Sequence, residues 1–257
     1  SGETRVRELA RFGRAIDLVV GESLVALVVP EIGNGPFHAV VDHLPESESP
    51  WRIGDGELTC GPWRIAITPE TVVWDPRPQW SSIVVEPHGV QAVERIVAEL
   101  AGRSRSRSAT HEALDRMLAQ HIADLARAIA GGHPTDIQRA TSGLAGLGSG
   151  LTPYGDDVLA GAVLALWAAH HPGCSEIGAM VARAAAPATH ALSRAFIDAA
   201  SRGMANADWH VLLDALSRSS APDIDRAARR IAATGDTSGV AMLRGFIAGY
   251  RAGRRDS

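Results

Sequence analysis

Apolar residues recur with two different periods along the chain, and the change falls near residue 90. The segments Ala15–Val20 and Ser23–Val29 are rich in β-branched residues, and Gly21-Glu22 between them is typical of a hairpin turn. Loops rich in Pro, Gly and Asp, at residues 45–56 and 75–79, separate further short apolar runs. Those runs predict strands at Phe37–Val41, Trp63–Thr68 and Ser82–Val85. Closely spaced short strands of this kind predict a small antiparallel β barrel or sandwich.

From Val90 onward the apolar spacing becomes helical. Within Gln91–Leu100, the residues Val93, Ile96, Val97 and Leu100 fall on one face. The same spacing predicts helices at His111–Ala130, Val158–Ala169, Ser175–Ala185, Thr189–Arg202, Trp209–Ser217, Ile224–Ala233 and Val240–Arg251. The Arg/Ser stretch Gly102–Ser108 has no apolar residue and is the predicted linker. The sequence therefore predicts an α+β fold, with a β-rich domain at residues 3–101 and an α-helical domain at residues 109–257.

The composition excludes several kinds of chemistry. All 25 basic residues among the 257 are arginines, so Schiff-base lysine chemistry and a P-loop lysine are excluded. An anion must be bound by arginine, by helix N-termini or by a metal. The net charge of −4 argues against nucleic acid as a partner. Cys60 and Cys174 lack paired spacing and no apolar run reaches the length of a membrane span, so we expect a cytoplasmic protein without membrane association.

The segment Ser142–Asp157, SGLAGLGSGLTPYGDD, is the most informative part of the sequence. Its glycines let backbone N–H groups approach a ligand closely. The helix Val158–Ala169 that follows is apolar on all sides and is therefore predicted to be buried. A glycine-rich loop that leads into a buried helix predicts an anion site at the helix N-terminus.

Asp156 and Asp157 precede that helix and have two interpretations. Carboxylates in a first helical turn interact favourably with the helix dipole, by about 0.3–1 kcal/mol each, and this alone explains many such pairs. Beside an anion site, however, two carboxylates repel the ligand. The conflict is resolved if Mg²⁺ bridges them, or if one acts as a base or hydrogen-bonds a substrate amide. We therefore predict Asp156 and Asp157 as catalytic residues and as candidate metal ligands, with no other cofactor expected.

A second glycine-containing helix start lies near the end of the chain. The segment TGDTSG, Thr234–Gly239, precedes the helix Val240–Arg251, and Thr237 and Ser238 are candidates to cap it. Two such helix starts in one helical domain predict N-termini that converge on one small anionic substrate.

The segment Gly146–Gly161, GLGSGLTPYGDDVLAG, resembles the signature of a bacterial family that includes a subunit of oxamate carbamoyltransferase. The family pattern reads Gly-Leu-Gly-Pro-Gly-Leu-Thr-Pro-Ser-Gly-Asp-Asp, and this chain has Ser149 and Tyr154 at its Pro and Ser positions. A weaker resemblance runs through Thr189, Ser193 and Gly203 and into the TGDTSG segment with its following helix. There Asp236 and Ala241 stand at positions where the family tends to carry histidine and aspartate. The motif residues and this weaker resemblance together give the predicted substrate- or anion-binding set: Gly146, Gly148, Gly150, Leu151, Thr152, Gly155, Thr189, Ser193, Thr237, Ser238 and Gly239.

The resemblance implies carbamoyl transfer between carbamoyl phosphate and an oxamate- or oxalurate-like substrate, in purine and ureide catabolism. It also implies a multi-subunit complex, so partner subunits or a homo-oligomer are expected. Two alternatives stay open from the residues themselves. In the first, the chain is a non-catalytic subunit that binds an anion or supports the assembly of a complex. In the second, it is a metal-dependent phosphoryl transferase or hydrolase.

Overall fold

A computed structural model describes residues 5–46, 49–102 and 109–254. The chain divides into two compact units, Ser1–Pro76 and Arg77–Ser257. The first contains the strands β1 Val6–Arg11, β2 Ala15–Val20, β3 Ser23–Val28, β4 His38–Val40, β5 Trp51–Gly54, β6 Glu57–Cys60 and β7 Trp63–Ala66. The second contains a 3₁₀ turn at Trp80–Ser82 and the helices α1 Pro87–Gly102, α2 Ala109–Gly131, α3 Pro134–Leu144, α4 Tyr154–Ala168, α5 Cys174–Ala185, α6 Ala191–Ser201, α7 Ala207–Ser217, α8 Ala221–Ala232 and α9 Ser238–Gly253.

The first unit confirms the predicted β region but corrects its arrangement. Its strands form a sheet in the order β1-β2-β3-β4 and a second sheet in the order β5-β6-β7. Strands β2 and β3 form the predicted hairpin, with Gly21 at a φ of 62° in the turn. Strand β4 pairs with β3 in the parallel direction, so the first sheet is not purely antiparallel as predicted. The described strands form no closed barrel, so the barrel form of the prediction is wrong.

Both sheets of the first unit contribute to one apolar cluster. Ile16, Leu18 and Leu27 come from the first sheet, and Leu58 and Trp63 come from the second. Alternate residues of each strand point to opposite faces of a sheet. The strongly apolar face of β2 and β3 is therefore the one that meets the second sheet.

The second unit is helical and is organised around α4. Every residue of α4 except Tyr154 and Trp167 is buried, which confirms the burial predicted from its apolar sequence. Glycines let α9 approach α4 backbone to backbone. A Cβ atom at Gly161 would lie 2.0 Å from the carbonyl oxygen of Met242, and one at Gly245 would lie 2.1 Å from that of Val158.

Residues later in α4 contact residues later in α9. Gly245 lies beside Val158, and Gly253 lies beside Leu166. The two helices therefore run in the same direction, with both N-termini at the same end. The positive ends of two helix dipoles are consequently close together.

The segment predicted as a strand at Ser82–Val85 is not a strand. Ile83 and Val85 are buried and Val84 is exposed, so the alternation is present. The backbone groups of this segment, however, pair with side chains of the helical unit. Ser217 accepts a hydrogen bond from the Val84 N–H, and Tyr250 donates one to the Val85 carbonyl.

Helix α1 packs against α8 and α9 and therefore belongs to the helical unit. The boundary between the two compact units lies at Pro76/Arg77, whereas the predicted β domain ends at residue 101. The predicted domain ranges, 3–101 and 109–257, stay predictions. Residues 103–108 of the predicted linker lie outside the described residues. None of the described helices combines the length and the apolar character that crossing a membrane requires.

Candidate functional site

Asp156 fixes the glycine-rich loop to the start of α6. The side chain is 1% exposed and accepts a hydrogen bond from the Gly146 N–H at 2.8 Å through Oδ1. Its other oxygen, Oδ2, accepts one from the Thr189 hydroxyl, just before α6. Both oxygens are therefore held by protein donors. Asp156 joins two of the predicted residues, Gly146 and Thr189, from segments 43 residues apart.

Asp157 lies in a different environment. It is 6% exposed, and its Oδ2 atom has no hydrogen-bond partner among the described residues. Burial raises the pKa of Asp157 from 3.8 to about 7. Hydrogen bonds from the hydroxyls of Ser238 and Thr152 lower this pKa, and the nearby charge of Asp156 raises it. Asp157 is therefore a buried carboxyl group that titrates near neutral pH, and one of its oxygens is buried without a protein partner.

The two helix starts meet at Asp157, as the sequence predicted. Thr152 precedes α4 and Ser238 begins α9, and their hydroxyl oxygens are 3.0 Å apart. The capping prediction is wrong in detail, since Thr237 occupies the N-cap position of α9 but makes no side-chain capping hydrogen bond. The Thr237 side chain is exposed and the structure does not bring it into this cluster.

The loop before α4 leaves a row of backbone donors unused. In the described part of the chain, no acceptor receives a hydrogen bond from the backbone N–H groups of residues 148–152. Gly148 and Gly150 have φ values of 121° and 98°, which favour glycine. Ser193 of α6 approaches this loop, with its hydroxyl 3.4 Å from the Leu151 carbonyl. Residues 148–151 are exposed, and the prediction that this loop binds an anion stays a prediction.

Gly155 and Gly239 serve close packing beneath the site. A Cβ atom at Gly155 would lie 1.9 Å from the Leu144 carbonyl oxygen, and one at Gly239 would lie 1.8 Å from that of Ile231. Their N–H groups bond to the carbonyls of Leu147 and Thr234. These two predicted residues therefore position the helix starts, and their N–H groups are already occupied.

Tyr154 and Arg244 lie at the site but were absent from the predicted set. The Arg244 guanidinium donates a hydrogen bond of 2.8 Å to the Tyr154 hydroxyl. Burial raises the pKa of the Tyr154 hydroxyl, and Arg244 opposes this rise. Ninety residues separate the two in sequence. Tyr154 at the serine position of the family pattern was the only sequence signal for this contact.

A metal site of three or more His, Cys, Asp or Glu side chains is not found among the described residues. Asp156 already uses both oxygens for protein donors. The unpartnered oxygen of Asp157 is itself buried, and the predicted role of the pair as metal ligands stays a prediction. An open pocket of about 600 Å³ lies between α2 and α3, and none of the predicted site residues lines it.

Fold and site together define an α+β protein whose helical unit holds a buried carboxyl group between two glycine-containing helix starts. Residues 144–250 match the family model described as oxamate carbamoyltransferase subunit AllH, which confirms the family resemblance. The matched region contains Asp156, Asp157, Ser238 and Arg244, whereas the β unit lies outside it. No curated protein and no solved structure matches the chain.

Proposed function

We propose that this chain is a subunit of a carbamoyltransferase complex and that it binds a small anionic substrate beside Asp157. The family match supports the reaction class, since the matched family is a subunit of oxamate carbamoyltransferase. The observation that carries the proposal for this site is Asp157 itself. It is a nearly fully buried carboxyl group with one unpartnered oxygen, between hydroxyls from two helix starts.

The proposed reaction joins carbamoyl phosphate and oxamate. The amide nitrogen of oxamate attacks the carbamoyl carbon and forms a new C–N bond. The bond from that carbon to the phosphate oxygen breaks, and phosphate leaves with the electron pair. The proton lost by the nitrogen passes to the carboxylate of Asp157. In the opposite direction, the protonated Asp157 returns the proton to nitrogen as phosphate attacks.

The raised pKa of Asp157, about 7, suits this role in both directions. A general acid or base is most effective when its pKa is near the working pH. The same pKa also reduces the repulsion expected between a carboxylate and an anionic substrate, since a substantial fraction of Asp157 is neutral at pH 7. The free N–H groups of residues 148–152 supply the complementary donors for a phosphate.

The first test measures anion binding by thermal shift of the full chain. Carbamoyl phosphate, inorganic phosphate and oxamate are added separately, each with and without Mg²⁺, and a nucleotide serves as the comparison ligand. We expect the first three to raise the melting temperature, since a ligand that binds only the folded state stabilises it. If none of them shifts the melting temperature, the proposed site is wrong.

The second test measures turnover in the complex isolated through a tag on this chain. Oxamate-dependent phosphate release from carbamoyl phosphate is compared for wild type, Asp157→Asn and Asp198→Asn, a control at an exposed aspartate of α6. We expect Asp157→Asn to lower kcat by about 10²–10⁴-fold and to keep the thermal shift with oxamate. Anion binding together with unchanged turnover in Asp157→Asn would instead support a non-catalytic, anion-binding subunit.

A further inference from the structure

Arg244 differs from the other arginines near it. On α8 and α9, the side chains of Arg229, Arg230 and Arg251 form ion pairs with Glu99, Asp208 and Glu94. Arg244 is half-buried, and it forms no ion pair with a carboxylate among the described residues. Its one hydrogen bond goes to the neutral hydroxyl of Tyr154. The remaining N–H donors of Arg244 have no partner among the described residues, so they can bind an anion.

Arg244 lies near the N-terminal end of the α4–α9 pair, and Asp157 lies near the same end. Tyr154 is the first residue of α4, and Asp157 follows one helical turn later on a neighbouring part of the helix surface. The charges of Asp115 and Asp157 both act on the Tyr154 hydroxyl. Arg244 lies in the second turn of α9, the helix whose first residue, Ser238, hydrogen-bonds Asp157. Arg244 therefore lies toward the same end of the α4–α9 pair as the proposed site, and it forms no ion pair with Asp156 or Asp157.

Tyr154 restricts the orientation of the guanidinium. Its side chain is half-buried at the start of α4, and its hydroxyl accepts from one terminal nitrogen of Arg244. With one N–H donor used for Tyr154, the planar guanidinium fork keeps its remaining donors. A carboxylate, which is also planar, can accept two parallel hydrogen bonds from such a fork.

On the basis of the proposed function, we infer that Arg244 binds the carboxylate of the acceptor substrate and that Tyr154 is its positioning residue. The phosphate of the second substrate has a separate set of donors in the free N–H groups of residues 148–152. This division selects an acceptor that carries a carboxylate next to its amide and discriminates against a neutral diamide of the same shape.

Calorimetric titration of the full chain tests this inference with three probes: oxamate, its neutral analogue oxamide, and inorganic phosphate. The variants are Arg244→Gln, Arg244→Lys, Tyr154→Phe and, as a matched control, Arg226→Gln at an exposed arginine of α8. We expect Arg244→Gln to weaken oxamate binding by about 30-fold or more, since it removes charge-assisted hydrogen bonds. Phosphate binding should change less than about 3-fold, and Arg226→Gln should match wild type for every probe.

The conservative variants separate a carboxylate site from a structural role. Arg244→Lys keeps the charge but not the fork, so we expect it to recover only part of the oxamate affinity. Tyr154→Phe should weaken oxamate by about 3- to 10-fold and, in the complex, raise KM for oxamate with kcat unchanged. The ratio of oxamate to oxamide affinity should fall in both Arg244 variants.

Two results would overturn the inference. One is oxamate binding by Arg244→Gln at wild-type strength, and the other is loss of phosphate binding with oxamate binding intact. Either result leaves the proposed function standing, because wild type still binds oxamate. If wild-type protein binds neither oxamate nor phosphate, the proposed function itself is wrong, and the inference falls with it.

Discussion

Replacement of Asp157 by asparagine is expected to stabilise the protein at pH 8, although it removes the proposed proton acceptor. Burial raises the pKa of Asp157 from 3.8 to about 7. At pH values below about 4, Asp157 is protonated in both the folded and the unfolded state, so it does not lower the free energy of unfolding. Between about pH 4 and 7, the folded state keeps a proton that the unfolded state releases, and stability falls as the pH rises. Above about pH 7, Asp157 is ionised in both states, and the free energy of unfolding is lowered by the full amount.

The size of this cost follows from the two pKa values. A difference of about three in pKa, from 3.8 to about 7, corresponds to about 4 kcal/mol at about 1.36 kcal/mol for each pKa unit. Because Asp157 is only 6% exposed, solvent screening reduces this figure little. Asparagine has nearly the same shape and does not ionise, so Asp157→Asn should exceed wild type by roughly 2–4 kcal/mol at pH 8. The two proteins should be nearly equal near pH 4.

Urea unfolding at pH 4, 5, 6, 7 and 8, followed by circular dichroism of the helical signal, measures this difference. Burial also raises the pKa of Asp17 in the β unit, to about 6, but this group is present in both proteins and cancels in the comparison. Asp198→Asn, at an exposed position, is the control and should follow wild type at every pH. Parallel stability curves for wild type and Asp157→Asn between pH 4 and 8 would refute the reasoning.

The remaining predictions concern residues that hold the site together. Gly155→Ala should destabilise the protein by roughly 3 kcal/mol or more, because its Cβ would lie 1.9 Å from the Leu144 carbonyl oxygen. Gly13→Ala is the control. A Cβ at Gly13 would have no atom within 4 Å, so this variant should change the melting temperature little. Thr189→Val should cost about 1–3 kcal/mol in urea unfolding, since it leaves Oδ2 of buried Asp156 without its donor. Thr189→Ser keeps the hydroxyl and should recover most of that loss, and equal effects of the two Thr189 variants would contradict the role given to this hydrogen bond.

Local sequence patterns predicted those elements whose burial follows a simple period. The β2–β3 hairpin has a glycine turn between two alternating runs, and α4 is apolar on all sides because it is buried on all sides. Helix α3 was missed because its buried face consists of Ile137, Thr141 and Leu144, which is too polar to stand out. The β5–β6 hairpin was missed within a predicted loop, although Asp55-Gly56 is a typical hairpin turn and both residues have positive φ.

The site was predicted in part for the same reason. Glycines and paired aspartates are local signals, and they led to Gly146, Thr152 and the two aspartates. The different surroundings of Asp156 and Asp157 depend on Thr189 and Ser238, which approach from distant helix starts. The contact between Tyr154 and Arg244 depends entirely on how α9 packs on α4. A single sequence carries no periodic signal for such a long-range contact.

The close approach of α4 and α9 has a consequence for any effort to engineer the proposed site. Carbonyl oxygens occupy the positions where side chains at Gly161, Gly245 and Gly249 would begin, so no other amino acid fits there without separating the helices. The two helix starts thus move as one block, and substitutions in the core beneath them shift both together or unfold the protein. Libraries that aim at a new acceptor should therefore leave this block intact. They should vary the exposed side chains of Ser149 and Leu151 together with those at 154 and 244, and keep Gly148 and Gly150, whose φ values favour glycine.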